Sequence, residues 1–290
     1  MTPSTNPSLS QLFAWEGLSP RTTALFRELV YRHYRCHRRP LPWRETTDPY
    51  RVLVSEVMLQ QTRVERVVEK YPKFLAAFPD LPALAAAPLP AVLAVWQGMG
   101  YNRRAVALQR CSREAVEHWG GTLPADPAEL QRLPGIGPYT AAAVAAFAFN
   151  CPTVVIETNI RAVFLHHFCA DREGVPDREL LPLVAATLDR DNPREWYNAL
   201  MDYGTMLKKE HANPARRSAH HSRQSPFAGS DRQLRGQILR TLLEQGPLPA
   251  GKLTAAVGKE PERVERILVG LVREGFVVRH GRRVALAEGD

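Results

Sequence analysis

The stretch Leu133-Pro134-Gly135-Ile136-Gly137-Pro138-Tyr139-Thr140-Ala141 decides how this chain folds. It follows Leu130-Gln131-Arg132 and precedes an Ala-rich run from Thr140 to Phe149, so two helices meet at Leu-Pro-Gly-Ile-Gly. A connection that short is a hairpin glycine makes most easily, because the backbone takes positive φ and approaches its partner closely. The turn leaves the backbone N–H groups of Gly135 and Gly137 free at the head of the next helix. Those donors and the positive end of the helix dipole together form a cradle for phosphate. A lone Gly-x-Gly is more often a simple turn; its place between two helices gives this one its weight.

Outward from the hairpin, residues 49 to 149 read as a succession of short helices punctuated by Pro and Gly, at Pro72, Pro79, Pro88, Gly98 and Gly120 among others. Asp126 before Pro127 is a helix N-cap followed by proline at the first helical position. A helical pattern also runs from Thr22 to His37, and residues 152 to 207 hold at least three more helices, including Asp177 to Leu188 and Trp196 to Lys208. No sustained alternation of period two occurs before the extreme C-terminus, so the body is all-α. Residues 1–20 are expected to be a loose arm. Large apolar residues nearly vanish from Lys208 to Asp231, where Arg, His, Ser and Pro dominate, as in a cationic linker. Residues 231 to 287 form a further module: helical patterns at Arg232–Glu244, Lys252–Val257 and Pro261–Glu274, then a short hairpin with His280-Gly281 at its tip. Three helices followed by a hairpin is the winged-helix arrangement, in which Pro261–Glu274 is the recognition helix and Arg263 and Arg266 are placed to meet DNA. Docking to another protein is the alternative use of such a module.

The 290 residues suffice for roughly two domains of about 150. With 44% hydrophobic and 23% charged residues, a mainly disordered chain is excluded. Lys and Arg number 38 against 30 Asp and Glu, a net charge of +8 that suits a polyanionic partner. No stretch reaches the ~18 uninterrupted apolar residues of a membrane helix, and the opening MTPSTNPSLSQLFAWEG lacks the order of a signal peptide. The expected location is cytoplasmic and nucleoid-associated, with no membrane contact. Cys36, Cys111, Cys151 and Cys169 are far apart and encode neither a zinc knuckle nor a disulfide framework.

Three further motifs occur around the hairpin: Ser55-Glu56-Val57-Met58-Leu59-Gln60-Gln61-Thr62, Trp96-Gln97-Gly98-Met99-Gly100-Tyr101 and Ile156-Glu157-Thr158-Asn159-Ile160-Arg161. In this order the four motifs resemble the helix-hairpin-helix (HhH-GPD) DNA glycosylase superfamily that includes endonuclease III, and within it the A/G-specific adenine glycosylases of the MutY type. The resemblance covers about residues 20 to 207. It implies two helical lobes with a DNA cleft between them: a six-helix lobe at about 49–149, and a second built from 21–48 plus 150–207. Residues 208–230 then form a basic linker, and 231–290 the winged helix. The partner implied is double-stranded DNA holding a mismatch or lesion, bound by a monomer.

Releasing a purine needs a proton on the departing base and negative charge beside the developing oxocarbenium sugar, tasks for two carboxyl groups in different environments. Glu56 lies among Val54, Val57, Met58 and Leu59, where a carboxyl is expected to have a raised pKa and to donate a proton. The resemblance gives it the role of general acid and then guide for the water; an ordinary solvated helix glutamate is the bland alternative. Glu157 stands where family members carry an aspartate that stabilises the sugar cation. Its extra methylene changes the reach by about an ångström, which matters when such errors can cost ~100-fold. A salt bridge to Arg161 or another cation is its alternative use. Asn159 retains the amide that orients water and carboxylate. Tyr139 stands where the bifunctional glycosylase/lyases have the lysine that forms a Schiff base, so the resemblance implies a monofunctional enzyme. Tyr139 then lines the base pocket, with Trp43 and Arg44 shaping its wall. Gln61 as wedge and Tyr101 stacking between bases are implied to extrude the nucleotide and fill the gap; packing at a helix end is their other reading.

Two departures stand out. Most of these relatives bind a [4Fe–4S] cluster through C-x6-C-x2-C-x5-C after the last helix; here those positions hold Lys208, Ala215, Ser218 and Gln224. No cluster is expected, while Lys208, Arg216 and Arg217 keep the loop cationic for phosphate contacts. His211, His220 and His221 invite a zinc reading, but no cysteine or patterned carboxylate accompanies them. A monovalent cation at the hairpin is the one small ligand left open. Second, the winged helix replaces the Nudix-like domain that reads 8-oxoguanine, which opens the choice of base: adenine in a mismatch first, mismatched thymine, uracil or a damaged purine next. A non-catalytic winged-helix DNA-binding protein is the third reading.

Overall fold

Prolines mark where helices begin. Pro20, Pro138, Pro193 and Pro261 each sit in a first turn, where a missing N–H is no loss. Asp126 Oδ1 caps the N–H of Ala128 at 2.6 Å, as its position before Pro127 predicts, though that helix runs only to Leu130. The computed structural model describes residues 9–221 and 226–288. In chain order the first helices are α1 (Leu9–Glu16), α2 (Pro20–His37), α3 (Pro49–Leu59), α4 (Val64–Ala77), α5 (Leu81–Ala86), α6 (Leu89–Trp96) and α7 (Arg103–His118). There follow α8 (Pro127–Leu130), α9 (Pro138–Phe149), α10 (Thr158–Phe168), α11 (Asp177–Thr187) and α12 (Pro193–Glu210). The last stretch is α13 (Asp231–Gln245), β1 (Leu248–Pro249), α14 (Ala250–Val257), α15 (Pro261–Arg273), β2 (Val277–His280) and β3 (Arg283–Leu286). Among the described residues no helix is long and apolar enough to cross a membrane.

The chain divides into two units. One takes the N-terminal residues through Asp48, Ala125–Ala128, and the chain from Gly137 through the segment after α12. Its core is aromatic: the Phe26 ring on α2 meets Phe164, Phe168 and Trp196 edge-to-face at 5.5, 5.1 and 5.7 Å. The expected loose arm is partly helical, because α1 buries Leu9 and Leu12 and sets Phe13 against Phe168 at 4.8 Å. α9, expected in the central lobe, belongs to this unit instead. It is buried almost all round, at Thr140, Ala141 and Ala143 through Ala148, as an apolar helix must be. Its end is held by Arg194 on α12, which donates to the carbonyls of Phe147 and Ala148, and by Asn150 in the left-handed region at φ +55. The segment after α12, expected as a cationic linker, lies along this unit and packs on it. Pro214, Ala215 and Ser218 are buried, and Val175 exchanges backbone hydrogen bonds with Arg217 and Ala219.

The second unit takes Pro49–Pro124, Glu129–Ile136 and the C-terminal residues. In its helical part Phe74 packs against Phe78 and Trp96 at 5.1 and 5.7 Å. The C-terminal part has its own core of Leu234, Ile238, Leu268, Phe276 and Val284. Its antiparallel sheet runs in the order β1-β3-β2, with His280 paired to Arg283 at the tip; the two-residue β1 gives no sequence signal. This part is not detached: α13 packs on α6, and Leu89 N–H donates to the Glu288 carbonyl.

Candidate active site

Glu56 occupies the inner face of α3, where Val52, Leu53, Val54, Ser55, Val57 and Met58 are all buried, and it is itself only 6% exposed. The ordinary solvated glutamate is thereby excluded. The end of α3 is tied down by Arg104, which the sequence reading missed. Its Nη1 donates to the carbonyls of Val57 (2.8 Å), Met58 (3.0 Å) and Gln60; its Nη2 donates to Thr62 Oγ1 and the carbonyls of Met99 and Gly100. Burial pulls this guanidinium down to about 10. One side chain therefore fixes both the α3 end that carries Gln61 and the loop that carries Tyr101.

Gln61 and Tyr101 share an uncommon backbone. Among the described residues three non-glycine residues have positive φ, and two of them are Gln61 at +54 and Tyr101 at +48. Such a conformation costs an L residue about 1–2 kcal/mol and persists where the surroundings impose it, often at functional sites. Gln61 is exposed and Tyr101 is 37% exposed.

The two hairpin glycines differ. Gly135 has φ +78, and a Cβ there would lie 2.6 Å from that of Ala107, so both reasons for glycine hold. Gly137 has φ −81, caps α9 in an extended conformation, and has open space where a Cβ would stand. The expectation of a left-handed, closely packed glycine fails there, because Gly137 already belongs to the straight entry into α9. What glycine leaves at 137 is an uncovered backbone. Tyr139, half-buried, lies in the first turn of α9.

Glu157 uses its carboxylate as a cap. As N-cap of α10, its Oε1 accepts from the N–H groups of Asn159 (2.7 Å) and Ile160 (3.0 Å), and its Oε2 accepts from Asn159 Nδ2 at 3.1 Å. Arg161 is not its partner; that guanidinium pairs with Asp177. Asn159 holds the carboxylate through both backbone and side chain, and its Oδ1 accepts weakly from Thr205 at 3.4 Å. The site is close-packed from α12: a Cβ on Gly204 would fall 2.3 Å from the Asn159 carbonyl. One turn on, burial lowers the Lys208 amine from its ordinary range, opposed by the Glu157 charge. Gly204 and Thr205 went unread, since only the fold brings α12 against α10.

Several expected contacts are otherwise engaged. Arg44 is 3% exposed and forms a two-pronged pair with Asp202, itself 1% exposed, at 2.7 and 2.9 Å; Arg39 reaches the same carboxylate. Arg44 is therefore an internal strut and does not line an open pocket; Trp43 beside it is buried. Arg217 donates to the carbonyls of Leu165, Cys169 and Ala170, closing the C-terminal end of α10, so it is withdrawn from phosphate contact. Arg216 is exposed. Arg263 bonds Asp231 and the Gly229 carbonyl, and Arg266, largely exposed, lies 3.4 Å from the same carboxylate, so these two α15 cations share one negative charge. His211 faces the ring of His166 at 4.8 Å, and neither His220 nor His221 joins a metal-ligand group among the described residues. Of the cluster positions, Lys208, Ala215 and Ser218 offer no thiolate, and Ser218 Oγ already accepts from His220 N–H; Gln224 lies outside the described residues. This donor set does not fit an iron–sulfur cluster.

Residues 54–181 match the HhH-GPD superfamily base excision DNA repair proteins. An adenine DNA glycosylase of Mycolicibacterium smegmatis is 33% identical over 275 residues, covering 87% of this chain and 93% of that protein. One from Buchnera aphidicola subsp. Baizongia pistaciae is 31% identical over 193 residues, covering 64% of this chain and 54% of that one. The chain thus spans about half the length of the latter relative and nearly all of the former. A thermostable thymine-DNA glycosylase superposes with a TM-score of 0.57 at 24% identity, over 63% of this chain and 86% of that one, which speaks to fold. The superfamily match runs from the Glu56 helix through the hairpin into α11, and the mycobacterial likeness extends over nearly the whole length; the chain belongs to the HhH-GPD superfamily of base excision DNA repair proteins, with the adenine DNA glycosylases, and is a DNA N-glycosylase.

Proposed function

We infer that the substrate base is adenine in mismatched duplex DNA, released by a monomeric, monofunctional enzyme with water as the nucleophile and no iron–sulfur cluster. The observation that carries this reading is the contrast between two carboxylates: Glu56 buried among apolar side chains, and Glu157 fixed in one pose by three N–H donors. The Glu56 carboxyl gives its proton to the departing purine ring as the glycosidic bond breaks and its electron pair leaves with the base. Glu157 sets its charge beside the sugar cation, oriented by Asn159. Water then adds to the anomeric carbon and its proton returns to Glu56. Tyr139 replaces the amine that lyase chemistry would need. Backbone donors at Gly135 and Gly137, with Arg216 and Lys208, bind phosphates, and the strained pair Gln61 and Tyr101 supports extrusion of the nucleotide.

The test is a panel of duplexes, with adenine opposite guanine or 8-oxoguanine and with thymine or uracil opposite guanine, scored for free base and for strand breaks with and without alkali. Adenine alone is expected, with breaks only after alkali. Thymine or uracil release would overturn the choice of base, and breaks without alkali would overturn the monofunctional assignment. E56Q should lower base release by about 10³-fold while duplex affinity stays within about twofold of wild type; retained turnover would remove Glu56 from the mechanism. Iron content of purified protein tests the cluster assignment.

A further inference from the structure

Tyr101 is gripped from two sides. The Arg104 and Arg232 guanidinium carbons lie 5.5 and 5.7 Å from its ring centroid, and Arg232 Nη1 donates to its hydroxyl at 2.6 Å. Arg104 belongs to the same segment as Tyr101. Arg232 opens α13, far along the chain in the C-terminal part. A second tie joins the same two segments. Glu274, just past α15, accepts from Arg103 Nε at 2.7 Å and from Arg235 Nη2 at 2.6 Å, and Arg235 lies one turn after Arg232. The two guanidiniums, Arg103 foremost, hold the Glu274 carboxyl down to about 2. α13 also rests on α6, whose terminal Trp96 donates to the Gly100 carbonyl at 3.1 Å. The loop from Gly98 to Tyr101, with φ of +84 at Gly98, +70 at Gly100 and +48 at Tyr101, is thus tied to both the helical part of its unit and the C-terminal part, while Gly98, Gly100 and Tyr101 stay exposed.

We propose that Arg232 is a positioning residue for base extrusion, through which the C-terminal part holds the Tyr101 ring in its left-handed pose. A tyrosine at such a φ relaxes unless its surroundings over-determine it, and a hydroxyl bonded to a guanidinium that also lies near the ring fixes both tip and plane. The C-terminal part thereby contributes to the reaction whether or not its own surface touches DNA. The inference rests on the reading of Tyr101 as a residue that enters the duplex.

The experiment follows extrusion by stopped-flow fluorescence of 2-aminopurine placed beside the target adenine, together with single-turnover base release and the salt dependence of duplex affinity. R232A and Y101F, which remove the two halves of the same hydrogen bond, should each slow extrusion about tenfold, and R232K should recover most of the loss. In a Y101A background R232A should add nothing, and the slope of log affinity against log salt should stay at the wild-type value. Additive effects would overturn the proposal. So would a slope shallower by about 0.9, the signature of a direct phosphate contact, or wild-type extrusion by R232A while Y101A is impaired. R232K guards against misfolding, since it keeps the charge and the stem. Wild-type extrusion by Y101A would end the Tyr101 reading and this proposal together, whereas adenine release by the wild-type protein would still uphold the glycosylase assignment.

Discussion

Glu157 serves two purposes with one carboxylate, and substitution separates them. Its side chain caps α10 by accepting from two backbone N–H groups, a contact worth about 1 kcal/mol of helix stability, and its charge is the proposed support for the sugar cation. E157Q keeps one oxygen that can accept from both N–H groups, removes the charge, and costs only the 3.1 Å bond from Asn159 Nδ2. Single-turnover base release should fall about 10²–10³-fold, with chemical denaturation midpoints within about 0.5 kcal/mol of wild type. Equal losses of stability in E157Q and E157A, with activity tracking stability, would show that the residue is only a cap. At this scale the sequence was most readable where backbone conformation restricts residue type, as at Gly135. It was least readable for Arg44, Arg104 and Arg217. A guanidinium that ends on carbonyls or on a carboxylate far along the chain leaves no spacing pattern behind. The cationic character of its loop suggested phosphate for Arg217, and the resemblance a pocket wall for Arg44; burial and geometry assign both to internal struts.

At the scale of elements, the segment after α12 shows how a chain lacking cluster thiolates closes this region. Asn213 caps the short turn Pro214–Arg217, Ser218 bridges to Val175, and Arg217 reaches the last carbonyls of α10. A cation at a helix C-terminus satisfies orphan carbonyls and complements the dipole. R217M should therefore destabilise the protein by about 2 kcal/mol while leaving the salt slope of DNA binding unchanged. R216M should do the reverse, lowering the slope by about 0.9 at nearly wild-type stability. Fluorescence-detected denaturation and salt titrations of duplex affinity read the two effects, and an interchange of phenotypes would restore Arg217 as a DNA contact. The helices given bounds from sequence, such as α2, α11, α12 and α15, were legible to within a few residues because proline starts and apolar faces are local signals, whereas α1 was not. The segment after α12 was not, since its few buried residues are small or polar and their burial depends on α10 and the chain before α11.

At the scale of the whole molecule, the sequence separated a helical body from a C-terminal part, but not the way the chain divides. α9 leaves the central stretch for the unit of α10 and α12, and the C-terminal part joins the unit of α3–α7. Neither choice follows from local pattern; each is settled by partners distant in sequence, such as Arg194 for α9 and the Arg103–Glu274–Arg235 cluster for the C-terminal part. That cluster makes the attachment sensitive to acid, with a definite sign. The Glu274 carboxyl is held near 2 in the folded protein against 4.5 ordinarily. Between those values the unfolded chain binds the extra proton, so this stabilisation is complete above about pH 4.5 and is lost as pH falls toward 2. Because the group retains some exposure, its worth is screened to about 1–2 kcal/mol. E274Q should be less stable than wild type by that amount at pH 6, and the gap should narrow at pH 3.5. Hydrogen exchange at pH 6 should localise the loss to α15 and the start of α7. A gap independent of pH would mean that packing at Glu274, and not its charge, fastens the C-terminal part to the helices that carry Glu56.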